Sequence, residues 1–217
     1  MFNKKQKRLL ALDGGGIRGV ISLHILKRIE DQLRPLSGLG DKFRLRDFFD
    51  YIGGTSTGAI IAAGLALGRS AQELIDFYET DGPRMFRKSR LQRLYHKFSA
   101  EPLAALLKRE LGVETILELQ QQQKLSRDKH LLVIAQNISS DSPWPLSTNP
   151  RAKYNCEKRR DCNLRIPLWQ LVRASTAAPY SRIGNPTQPF TLRMSLNSAP
   201  ASPSTCLRLA NVRNPCA

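Results

Sequence analysis

Along the chain, apolar and polar positions change period from block to block. "RLLAL", residues 8–12, is a short apolar run closed by Asp13 and three glycines, the pattern of a buried strand that ends at a turn. From Val20 to Leu33 the residues Ile21, Ile25, Leu26, Ile29 and Leu33 recur at helical spacing, with Pro35 just beyond as a helix stop. Residues 36–44 read as a loop, and "DFFDYIGG" feeds a second buried strand. The apolar run after Ser56 predicts a helix to about Leu67 that stops at Gly68. Ser70 and Glu73 have the spacing of a capping box, which starts another helix. Leu103, Leu106, Leu107 and Leu111 share one face of a helix over roughly 101–111, ended by Gly112. "HLLVIAQNI", 130–138, is a third strand. Residues 139–151, rich in Pro, Ser and Asn, read as a polar loop, and "PLWQLVRAST" is a helix with Pro167 in its first turn. Strands that alternate with helices predict an α/β fold with a mostly parallel sheet.

Composition narrows this picture. The 217 residues, 41% hydrophobic and 24% charged, suit a single soluble domain with its own core. The longest apolar stretch, "AIIAAGLALG", is half of what a membrane span needs. In the basic N-terminal stretch the apolar run before Asp13 is only four residues long, too short for a secretory leader. The expectation is a cytoplasmic protein, with peripheral membrane association as the variant. The net charge is +16, yet every acid lies at or before Asp161, and the segment after it holds six arginines and no lysine. No aromatic and basic face accompanies the charge, so no nucleic acid is expected as a partner. A pull toward anionic lipid stands beside the plainer alternative of a solvated basic surface. Cys156, Cys162, Cys206 and Cys216 fit no zinc spacing and are expected to be reduced.

Two glycine-rich turns carry the candidate chemistry. "GTSTG", Gly54 to Gly58, places Ser56 between a strand and a helix, as a nucleophile elbow requires. Gly54 and Gly58 remove side chains that would collide with the neighbouring strand and helix. The helix N-terminus favours a developing oxyanion. The alternative is that Ser56 or Thr55 only caps the helix. "DGGGIRG", Asp13 to Gly19, is a loop with backbone N–H groups exposed at close range. Arg18 could hold a carboxylate or a lipid phosphate, or anchor the loop through a salt bridge, and the anchor is favoured. Gly14, Gly16 and Gly19 also spell the dinucleotide fingerprint G-x-G-x-x-G, but no second strand ending in an acid follows about 20 residues on. Dinucleotide binding is therefore a lesser alternative.

Taken together, "DGGGIRG", "GTSTG" and "ASTAAP" at 174–179 resemble the patatin-like phospholipase family. The resemblance implies a three-layer α/β/α fold over residues 8–179 and a serine acyl hydrolase acting on phospholipid or other lipid esters. It implies Ser56 as nucleophile and the amides of Gly14, Gly15 and Gly16, with Thr57, as oxyanion hole. Arg18, Gly19, Gly54 and Gly58 support these motifs, "ASTAAP" packs near the site, and no metal or other cofactor is expected. Some bacterial members are membrane-degrading effectors switched on by a cyclic nucleotide. The stretch from 139 to "YNCEKRRD" has that bacterial flavour, so cyclic-nucleotide activation is an expected regulatory input.

The chain departs from the family at one point. The family's base is an aspartate in a D-G-[GA] motif downstream of "ASTAAP", and this chain has no acid after Asp161. A serine hydroxyl with no base is a weak nucleophile at neutral pH. His24, His96, His130, Asp161 and Asp13 are the remaining titratable candidates. His24 sits in a helix, His130 starts a strand, and Asp13 is expected to order its loop. Residues 180–217 form a basic tail rich in Ser, Pro and Arg. The missing acid and the odd tail together suggest a product truncated or frame-shifted shortly after Ala178, with an incomplete fold. A catalytically silent member of the fold is the corresponding alternative.

Overall fold

The computed structural model describes residues 6–85, 100–137, 142–156 and 162–176. Contacts divide the chain into Met1–Pro179 and Tyr180–Ala217, and the second unit lies outside the described residues.

Four strands, β1 (Leu9–Leu12), β2 (Tyr51–Thr55), β3 (His130–Asn137) and β4 (Ser142–Ser147), form one sheet in that order. β1 and β2 run parallel, with Leu9 opposite Tyr51 and Leu12 opposite Gly54. β2 and β3 are also parallel, with Tyr51 opposite His130 and Thr55 opposite Ile134. These are the three strands expected from the apolar runs. β4 pairs antiparallel with β3 and occupies the middle of the segment expected to be a loop. Its prolines hid it. The Thr148 amide donates to Leu131 O, and alternation from that pair puts Pro143 and Pro145 at positions where the N–H would point away from β3. An edge strand tolerates proline there.

The helices are α1 (Gly19–Ser37), α2 (Leu45–Phe48), α3 (Thr57–Ala66), α4 (Ala71–Met85), α5 (Ala100–Leu111), α6 (Ile116–Gln121) and α7 (Leu168–Thr176). α1 does not stop at Pro35. It runs on to Ser37 and ends at Gly38, whose φ of 73° makes a left-handed cap. The proline removes one hydrogen bond in an exposed last turn, where Ser37 Oγ donates to Arg34 O instead. The α1 stripe also differs from the expected one. Leu23, Leu26 and Glu30 are buried, whereas Ile21 and Ile25 face solvent. Glu30 is tolerated in the core because it accepts from the Ala71 amide at 2.7 Å, at the start of α4.

α3 is the central helix. All ten of its residues are buried, and it packs on β2 and β3 and against α1, α4, α5 and α7. Its small residues permit this. A Cβ added at Gly64 would lie 2.6 Å from a methyl of Leu74. The Ser70–Glu73 capping box is formed, with Glu73 N donating to Ser70 Oγ and Ser70 N to Glu73 Oε2. Cys156 is disulfide-bonded, against the expectation of a reduced thiol. Pairing depends on where the fold brings chain segments together, which spacing along the sequence does not reveal.

Candidate active site

β2 carries the chain to Ser56, which has φ 52° and ψ −122°. A residue with a side chain rarely adopts this backbone conformation, and it persists only where the surroundings enforce it. Three contacts enforce it here. The Ser56 carbonyl accepts from Ala59 N at 2.9 Å and so begins α3. The Ser56 amide donates to Ser175 Oγ at 2.8 Å, and that hydroxyl donates in turn to Ile134 O of β3 at 2.6 Å. One α7 hydroxyl thus ties the turn to the neighbouring strand. The Ser56 side chain makes no capping bond to α3. Thr55 does not cap it either, since its Oγ1 accepts from the Gly14 amide at 3.0 Å. The helix-cap alternative is therefore removed, and Ser56 stays half-buried rather than sealed in the core.

The glycines explain how the two turns meet. A Cβ at Gly58 would lie 2.2 Å from Leu12 O, and one at Gly54 would lie 2.3 Å from Gly58 O. A Cβ at Gly14 would lie 2.9 Å from Ser56 Cβ and 3.6 Å from Ser56 Oγ. Backbone therefore packs on backbone at both turns, and Ser56 Oγ sits against the glycine loop. Gly16 opens a single 3-10 turn, Gly16–Arg18, and Gly19 is buried at the start of α1 against Ile61 and Tyr78.

The loop amides divide into two groups. Gly14 N is held by Thr55 Oγ1 and Gly15 N by Thr57 Oγ1, each at 3.0 Å. The Gly16 and Thr57 amides have no hydrogen-bond partner among the described residues. The sequence placed "ASTAAP", which contains Ser175, near the site, but nothing in it pointed to the bond that Ser175 makes or to the threonine clamps. Asp13 was expected to order the loop, but its carboxylate makes no hydrogen bond or ion pair among the described residues, and the threonines do that work. Arg18 is exposed and forms no salt bridge among the described residues, so the expected anchor is absent.

No described carboxylate or imidazole bonds Ser56 Oγ. His24 is exposed on α1. His130 pairs with Tyr51 at the far end of β2, five residues from Ser56, or about 16 Å at strand rise. Burial lowers its pKa from the ordinary histidine value. His96, Asp161 and residues 177–179 of "ASTAAP" lie outside the described residues. Among the described residues no cluster of three metal-ligating side chains occurs.

The family model for patatin-like phospholipases matches residues 10–183. The chain belongs to the patatin-like phospholipase family. This decides the fold, and the chemistry that the family implies is lipid acyl hydrolysis, not dinucleotide binding. In the structure β2 ends in Thr55, followed by Ser56, rather than in an acid. Among relatives, a cGAMP-activated phospholipase of Vibrio cholerae is 32% identical over 188 residues, covering 81% of this chain and 49% of its own length. Patatin-17 of Solanum cardiophyllum is 39% identical over 111 residues, covering 48% of this chain and 28% of its own. The patatin-like chain thus spans about half the length of the first and less than a third of the second. Among solved structures, the ExoU–SpcU complex of Pseudomonas aeruginosa resembles it with a TM-score of 0.48 and 17% identity, over 96% of this chain and 42% of the other.

Proposed function

We propose that residues 8–179 form a patatin-like domain in which Ser56 is the nucleophile of acyl transfer from phospholipid or other lipid esters, with 180–217 an atypical basic tail. The observation that carries this is the backbone of Ser56: a hydroxyl on a strained turn, uncommitted to any cap, against the Gly14 loop. Attack of Oγ on the ester carbonyl pushes the C=O electrons onto oxygen. Amides that have no partner suit that charge; among the described residues Gly16 and Thr57 have them, Thr57 next to Ser56 in the chain and Gly16 two residues from Gly14. Gly14 and Gly15 complete the hole if their threonine clamps yield. The intermediate collapses, the alcohol leaves with a proton, and water releases the acyl group from serine. Among the described residues no side chain stands to accept the Ser56 proton; passage of that proton to solvent makes turnover slow, with the residual rate that oxyanion stabilisation alone supplies.

The test is hydrolysis of a short-chain chromogenic ester, expected to be slow and abolished in Ser56→Ala. Activity that survives the substitution contradicts the serine mechanism. A silent member of the fold is the second reading. It is favoured by one observation, the lack of any acid after Asp161, and it predicts no Ser56-dependent hydrolysis at all. The name of the Vibrio relative supports a cyclic dinucleotide as activator, read as a rise in that hydrolysis on adding cyclic GMP-AMP. The proposed setting is a cytoplasmic chain that meets its substrate peripherally; among the described residues no helix is long and apolar enough to cross a membrane.

A further inference from the structure

α1 buries Leu23, Leu26 and Glu30, and on its opposite side it leaves large aliphatic side chains in water. Ile17, just before the helix, is 51% exposed, Ile21 64% and Ile25 59%. They recur every four residues, so they form one line of about 12 Å at helical rise. Single exposed aliphatics are ordinary, but three in a row on one face mark a surface that meets something. The residues flanking the line are Arg18, His24 and Arg28, all exposed. Neither arginine forms an ion pair among the described residues, whereas the next exposed acid, Asp31, is held by Lys27 and Arg34. The line starts three residues after Gly14, whose backbone touches Ser56. An apolar strip edged with uncommitted positive charge, on a chain of net charge +16, complements an anionic bilayer.

We propose that the Ile17–Ile21–Ile25 face of α1 seats the chain on an anionic lipid bilayer, with the isoleucines entering the headgroup–acyl boundary and Arg18 and Arg28 meeting lipid phosphate. The proposal deepens the lipid-ester reading by placing the docking surface beside the candidate nucleophile.

The experiment is cosedimentation of the full chain with vesicles of equal phosphatidylcholine and phosphatidylglycerol, and with pure phosphatidylcholine. The unsubstituted chain is expected to bind the anionic vesicles at least tenfold more strongly than the neutral ones. Ile21→Asp with Ile25→Asp is expected to lose that binding tenfold or more, and Arg28→Glu severalfold. Val113→Asp, at an exposed apolar position after α5, is expected to change nothing. Fluorophosphonate labelling of Ser56 without lipid is followed in parallel and is expected to be the same in the double variant. Vesicle binding lost in a chain that never labels keeps the docking surface and removes the hydrolase reading. Normal labelling with unchanged vesicle binding overturns the docking surface alone. Equal binding to neutral vesicles, no binding by the unsubstituted chain, or a dimer that the double variant breaks without affecting vesicle binding also overturns it.

Discussion

The two rims of the sheet are built from different materials. At the N-terminal rim, side chains lock the strands. Arg8 N donates to Asp50 Oδ2 at 2.9 Å, Arg8 O accepts from the Asp50 and Tyr51 amides, and the Lys129 ammonium donates to Asp47 O at 2.6 Å. Burial lowers the Lys129 pKa, opposed by the charges of Asp50 and Asp47. At the C-terminal rim, glycines let backbone approach backbone, hydroxyls replace charges, and two amides have no partner among the described residues. The first rim spends its polar groups on holding the fold. The second leaves some uncommitted, at the strand ends where open α/β sheets bind ligands. Substitutions should therefore separate the rims: loss of stability with reactivity spared at one, and reactivity changed, with stability moving either way, at the other.

The largest effect is expected from Gly58→Ala. Its Cβ meets the backbone oxygen of Leu12 at 2.2 Å, and neither partner can turn aside. A loss of at least about 3 kcal/mol is expected in urea unfolding, and a loss under about 1 kcal/mol would show that the two turns are not locked together. Ser175→Ala comes next. It strips the Ser56 amide of its acceptor, for about 2 kcal/mol, and should slow fluorophosphonate labelling of Ser56 tenfold or more. Ser175→Thr keeps the hydroxyl and should recover most of the labelling. On the opposite rim, Asp50→Ala should cost about 1.5 kcal/mol through the lost Arg8 amide bond while labelling proceeds at the original rate. Slower labelling there would break the comparison. Ser56→Gly should abolish labelling yet stabilise the chain by about 1 kcal/mol over Ser56→Ala, because glycine accepts the positive φ without strain.

The smallest effect concerns acid unfolding. The Ser70 backbone N–H, with its hydroxyl and nearby Arg69, holds the Glu73 carboxyl below its usual range. That contribution is complete above the unfolded-state pKa and is lost as pH falls through the lower folded-state value. Glu73→Gln should flatten the acid limb of stability by less than about 0.5 kcal/mol, leaving the rims alone.

What could be seen in the sequence was whatever local chemistry decides. α3 begins after Ser56 and ends before Gly68 because a bare turn and a left-handed glycine bracket an apolar run. The capping box of Ser70 and Glu73 works at short range. Thr115 and Glu118 make an equally legible box at the start of α6, a signal that was there to be used. What escaped depends on distant partners. β4 is a strand only because β3 lies beside it. On α1 the same helical period fits two stripes, and contact with α4 and α3 decides which one is buried. In the site, glycine spacing pointed to the Ser56 turn. The brace from Ser175, 119 residues away, and the threonine clamps on Gly14 and Gly15 are products of the fold.

The most direct test of the central claim is to treat the full chain with a fluorophosphonate probe and map the adduct by peptide mass spectrometry. The account predicts one adduct, on Ser56, absent from heat-unfolded protein and from Ser56→Ala. Adducts spread over other serines, or a folded chain whose Ser56 reacts no faster than in the unfolded one, would contradict it.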